Sequence, residues 1–112
     1  MAKLDDAVAA ATRQMKARRI PVDEKLLRSI CKSLGPSLYN RDSRTVAAGQ
    51  PKELQTIKRN FLIKKLGCKD GPELDKAMNR AIKKIGKSNR AKNRAVFYYI
   101  LVKDLKKESK YK

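Results

Sequence analysis

The residues of this chain that could do chemistry are its cations. Arg80, Lys83, Lys84 and Lys87 recur at spacings of three and four, which places them on one face of a helix. Overlapping them, Gly86-Lys-Ser-Asn-Arg-Ala-Lys-Asn-Arg94 adds Arg90, Lys92 and Arg94, with Ser88, Asn89 and Asn93 as hydrogen-bonding side chains. Cations mixed with amides and hydroxyls ahead of a helix suit phosphate oxygens, which attract positive charge and accept hydrogen bonds. Arg80, Lys83, Lys84, Lys87, Arg90, Lys92 and Arg94 are therefore the candidate site for a polyanion. DNA or RNA comes first, gripped through its backbone without strong sequence preference. From Lys76 to Lys112 thirteen bases stand against two acids, Asp104 and Glu108, a local excess of +11. The plain alternative is a solvated, lysine-rich surface with no ligand. Like charges at three- and four-residue spacing cost helix stability, which weighs against it.

Other chemistries lack their residues. The chain has no histidine, so the commonest general base and metal ligand near neutral pH is missing. It holds no Gly-rich phosphate loop and no GxSxG, and its two cysteines, Cys31 and Cys68, form no CxxC. The expectation is a non-enzyme with no catalytic residue, cofactor or metal. Cys31 falls on an apolar helix face and reads as core, and Cys68 follows Gly67 as a small residue under a turn. Stacking of unpaired bases needs exposed aromatics among the cations. Phe61, Phe97 and Tyr99 fall on apolar faces, which leaves Tyr98, beside Arg94, as a weak candidate whose first reading is core or core-edge.

The whole chain carries 29 Lys and Arg against 11 Asp and Glu, a net charge of +18. That excess favours nucleic acid, an anionic membrane or an acidic protein as partner. A protein-interaction or oligomerisation module with a merely solvated basic surface is the second reading. The longest apolar run, Ala95 to Val102, is eight residues, against about 20 for a membrane span. Asp5 and Asp6 interrupt the apolar start that a signal peptide would need. The expectation is a cytoplasmic protein with no membrane span.

The elements that must hold these residues read as helices. At 112 residues the chain suits one domain, residues 1–112, with a core of about 5–105 and a frayed basic tail over 106–112. Leu4, Val8, Ala11 and Met15 make a first stripe, ended by Pro21. Leu26, Leu27, Ile30, Cys31 and Leu34 make a second, closed by Gly35-Pro36. Asn40 to Gln50 is rich in turn formers, with one helical turn around Thr45 to Ala48. Pro51 opens a third stripe through Leu54, Ile57, Phe61, Leu62 and Leu66, ending at Gly67. Leu74, Ala77, Met78, Ala81, Ile82 and Ile85 make a fourth. Ser88 is the expected N-cap of a fifth helix, about Asn89 to Lys107. Its run Ala95-Val-Phe-Tyr-Tyr-Ile-Leu-Val102 has strand propensity, but no other segment could pair with it. A helix wrapped on most sides accounts for the run. The predicted fold is thus an all-α, compact single-domain bundle of about five helices, with the C-terminal helix central. Asp5, Asp6, Asp23, Glu24, Glu53, Glu73 and Asp75 all fall near helix starts, where they favour the helix dipole.

Three stretches carry a resemblance. Arg41-Asp-Ser with Val46-Ala-Ala, Arg59-Asn-Phe-Leu-Ile-Lys-Lys-Leu-Gly67, and Asn93-Arg-Ala-Val-Phe-Tyr-Tyr-Ile-Leu101 are similar to those of a family of small bacterial proteins. That family is classed only as a domain of unknown function. The similarity runs from about Val22 to Leu105, and its motifs read NFLxKKLG and RxxFYYxL. The resemblance implies a compact helical domain and brings no activity, cofactor or partner with it. Its members need not be as basic as this chain. Asn60, Lys64, Lys65 and Arg94 lie inside the shared motifs but off the apolar stripe, which makes them a second candidate surface, or capping and ion-pairing residues.

Overall fold

Ala95 to Val102 is helical in the computed structural model, which describes residues 3–39, 44–87 and 92–111. Those residues form α1 (Lys3–Ala17), α2 (Glu24–Leu34), α3 (Pro36–Tyr39), α4 (Pro51–Ile57), α5 (Pro72–Ile85) and α6 (Arg94–Asp104). No strand occurs among them, and the domain is an all-α bundle. Every residue of α6 from Ala95 to Val102 is buried. A helix with no polar face has to be covered on all sides. Helices α1, α2 and α5 pack against it, presenting Val8, Ala11 and Met15, then Leu27, Ile30 and Cys31, then Ala77, Ala81 and Ile85 to the core.

Polar side chains fasten the connections to this helix. The Tyr99 hydroxyl donates to the Pro21 carbonyl at 3.0 Å and accepts from the Asp23 N–H at 2.9 Å, which pins the α1–α2 connection. Asp23 in turn caps α2 by accepting from Leu26 N–H. Gln14 on α1 accepts from Asn93 N–H at 2.8 Å. The cap of α6 is Asn93, whose Oδ1 accepts from the N–H groups of Ala95 and Val96. The helix therefore starts later than Asn89, and the expected cap Ser88 lies outside the described residues.

Other departures from the sequence expectation have local causes. After Gly35, at φ +49°, the chain makes one more helical turn, α3, because Pro36 fits a first helical position. Thr45 to Ala48 is not a helical turn. Residues 44–46 run antiparallel to 92–94, with Val46 N–H donating to Lys92 O and Arg94 N–H to Arg44 O, both at 2.8 Å. Burial of Val46 is the apolar reason for that docking. Helix α4 continues as a π-helix over Lys58–Lys65. The buried pairs Ile57–Leu62 and Phe61–Leu66 are five residues apart, and hydrogen bonds reaching five residues bring such pairs toward one face. Gly67, at φ +72°, ends the segment, with its N–H on Ile63 O and that of Cys68 on Leu62 O. Over the expected tail, Lys107 N–H returns to Val102 O, Glu108–Tyr111 forms a 3-10 turn, and Tyr111 packs on the core.

Cys31 is fully buried in α2, and burial pushes its thiol from 9.0 up to about 11, against an opposing pull from Arg28. The folded chain holds this proton after the unfolded chain has released it, so stability is lost as pH rises from about 9 toward 11. Urea unfolding across that window should show a smaller alkaline loss for Cys31→Ala than for the parent, by on the order of 2 kcal/mol.

Candidate polyanion-binding surface

Helix α5 has two unlike faces. Leu74, Ala77, Met78, Ala81 and Ile85 are buried, whereas Lys76, Arg80, Lys83 and Lys84 are exposed. Lys83 and Lys84 occupy the last turn, where cations meet the unsatisfied carbonyls. Lys87 follows, exposed, just beyond Gly86. None of these three lysines makes an ion pair among the described residues. Arg80 shares their face but not their state. Its Nε and Nη2 donate to the two carboxylate oxygens of Asp104 at 2.7 and 3.2 Å, a fork that ties α5 to α6.

Lys92 and Arg94 turn inward instead of joining the row. Lys92 is only 4% exposed, and its Nζ donates to Lys87 O at 3.3 Å. Burial, and then repulsion from Arg18, lower its pKa. Arg94 donates through Nη2 to Glu53 Oε1 at 2.7 Å and to Thr45 O at 3.3 Å, and through Nη1 to the Tyr98 hydroxyl at 3.2 Å. Its side chain is 15% exposed. Burial opposes the guanidinium charge, but the bonds to Glu53 and Tyr98 outweigh it and raise the pKa. One side chain thus joins α4, the 44–46 strand-like segment and α6. Tyr98 is no stacking platform, since it is buried and its ring lies 4.0 Å from that of Phe61.

Of the seven predicted bases, Lys83, Lys84 and Lys87 form an exposed row, Arg80 is paired beside it, and Lys92 and Arg94 are structural. Arg90 lies outside the described residues. A fourth cation joins the row from a distant part of the chain. Arg18, after α1, lies against Gly86, where a β-carbon would come within 2.7 Å of its guanidinium. Gly86 sits at φ +112°, so a side chain there would be strained as well as crowded. No spacing in the sequence signals that α1 ends beside α5. In the second candidate set, Asn60, Lys64 and Lys65 are exposed, with the Lys65 ammonium 5.5 Å from the Tyr111 ring centroid.

The acids at helix starts also make ion pairs. Asp5 meets Arg28, Asp70 and Asp75 meet Lys58, Glu73 meets Lys76, and Glu108 meets Lys103. With Asp104 and Glu53, seven acids take up six bases among the described residues. Among the described residues no carboxylate pairs with Lys83, Lys84 or Lys87.

A model of a family of proteins of unknown function, DUF2853, matches residues 7–109. The chain belongs to the DUF2853 family. A search of curated proteins matches none. The DUF2853 match includes the α5 lysines, the Arg94–Glu53 pair and the whole of α6, whereas Lys3 and Asp6 precede it. Membership brings no assigned chemistry.

The two kinds of base in this DUF2853 domain should separate cleanly in unfolding experiments. Arg94→Ala strands a half-buried carboxylate, Glu53, and should cost about 2–4 kcal/mol. Lys83→Ala, on an open surface, should stay within about 0.5 kcal/mol of the parent. Urea midpoints measure both.

Proposed function

We propose that this domain is a non-catalytic binder of nucleic acid or a similar polyanion, gripping backbone phosphates without strong sequence preference. One observation carries the reading: Lys83, Lys84 and Lys87 project from the end of α5 with no carboxylate partner among the described residues, and Arg18 reaches the same end of the helix. Neighbouring cations within a Debye length, about 8–10 Å, act on a phosphate chain together. Arg80 and Arg94 would serve the surface indirectly, by holding α5 and α4 to α6. An acidic protein partner is the competing reading. Among the described residues Tyr39 is the large apolar side chain left exposed, so such a partner too would be held by charge more than by apolar burial.

Four phosphate contacts predict a log–log salt slope near −3.6, so affinity for a labelled duplex should fall roughly 100-fold between about 50 and 200 mM salt. Reversing Lys83, Lys84 and Lys87 to Glu should weaken binding and flatten the slope by about 2 to 3. Retardation that survives the triple reversal unchanged, or that is no tighter than for a size-matched basic control protein, overturns the reading.

A further inference from the structure

Between α1 and α3 lies a cleft of about 220 Å³, lined by Lys3, Asp6, Leu38, Tyr39, Arg44 and Asn93. Tyr39 is 38% exposed, the aromatic side chain that the α6 tyrosines are not. Leu38, its neighbour, is buried, and successive helix positions point about 100° apart, so the pair divides core from surface. The Lys3 ammonium stands 5.8 Å from the Tyr39 ring centroid, within cation–π range.

The other walls are fixed from behind. Arg44 O accepts from Arg94 N–H, and Asn93 is held by its cap bonds and by Gln14. Among the described lining residues, an exposed ring, two cations, one carboxylate and an amide form a mixture that a bare phosphate does not need. Asp6 repels an anion but accepts from the N–H edge of a base, while Lys3 and Arg44 match the phosphate attached to it. The volume falls below the 300–1,000 Å³ of drug-sized pockets, a size suited to one base. A duplex keeps its base faces stacked and has none to offer.

We infer that this cleft takes one unpaired nucleotide of a single strand, its base on Tyr39 and its phosphate between Lys3 and Arg44. The inference rests on the polyanion reading and adds a preference to it. The path between the two regions is short: Lys87 O is bonded to Lys92 Nζ, and Asn93, the next residue, lines the cleft. A strand seated on Tyr39 therefore runs toward the α5 lysines.

The test compares a labelled oligothymidylate with a duplex of equal length on four proteins: wild type, Tyr39→Phe, Tyr39→Ala and the Lys83/Lys84/Lys87→Glu triple variant. Tyr39→Ala should weaken single-strand binding roughly 5- to 100-fold, the range for losing one base–aromatic stack, and leave duplex binding as it was. Tyr39→Phe keeps a ring for stacking and should match the wild type on both, which also guards against a misfolded alanine variant. Equal losses on both ligands for Tyr39→Ala, no loss on the single strand, or equal damage from Tyr39→Phe overturn the inference. If the triple variant loses both ligands while Tyr39→Ala loses neither, the cleft fails and the lysine surface stands. If wild type binds neither ligand more tightly than a basic control protein, both fail.

Discussion

Helix α6 offers no polar face, and a short chain has few ways to cover such a helix. Three other helices and the π-helical stretch lie around it, and the connections between them are held to it by the polar tips of its own side chains. Tyr99 reaches the α1–α2 connection, and Tyr98 joins Arg94 and Glu53 at the base of α4. Buried hydroxyls and guanidinium groups are costly unless bonded, so these side chains dictate where the loops run. The burial of α6 thus determines both the core and the course of the chain over it.

The same constraint shapes the surface. With the apolar side chains committed inward, the outside is ionic, and the helix starts claim most of the acids. Those acids then reach across to bases on neighbouring elements, as Asp5 does to Arg28 and Asp75 to Lys58. What remains is uneven. Cations gather where the ends of α1 and α5 meet, and Lys92 is drawn in beside Arg18 despite the cost of burial.

The stripes of α1, α2, α5 and α6 were legible because period and burial agree there. The central place of α6 was legible because an unbroken apolar run has no other home in an all-helical chain. What escaped depended on contacts between distant segments. The docking of residues 44–46 against 92–94 has no local signal, since turn formers surround Thr45 and nothing marks Asn93 as its neighbour. The π-helix hides because a stripe through Leu54, Ile57, Phe61 and Leu66 satisfies an α-helical period almost as well. In the candidate surface, spacing along α5 identified Lys83, Lys84 and Lys87. It could not separate them from Lys92 and Arg94, whose inward turn follows from the partners they meet. Tyr39 carried a weak signal, an aromatic following a buried-type leucine and facing a polar stretch.

The covering of α6 has one more consequence. Ala95 to Val102 holds no charge, proline or glycine, and its β-branched and aromatic residues are those that build cross-β steric zippers. As a helix its backbone bonds are satisfied internally and its side chains are hidden, so the fold keeps an aggregation-prone segment out of circulation. Arg94 at one end and Lys103 at the other flank it as gatekeeper charges, and the net +18 of the chain keeps unfolded copies apart by mutual repulsion. The basicity of the chain thus guards its most hazardous segment whenever the helix is uncovered, and any bound polyanion would neutralise that guard.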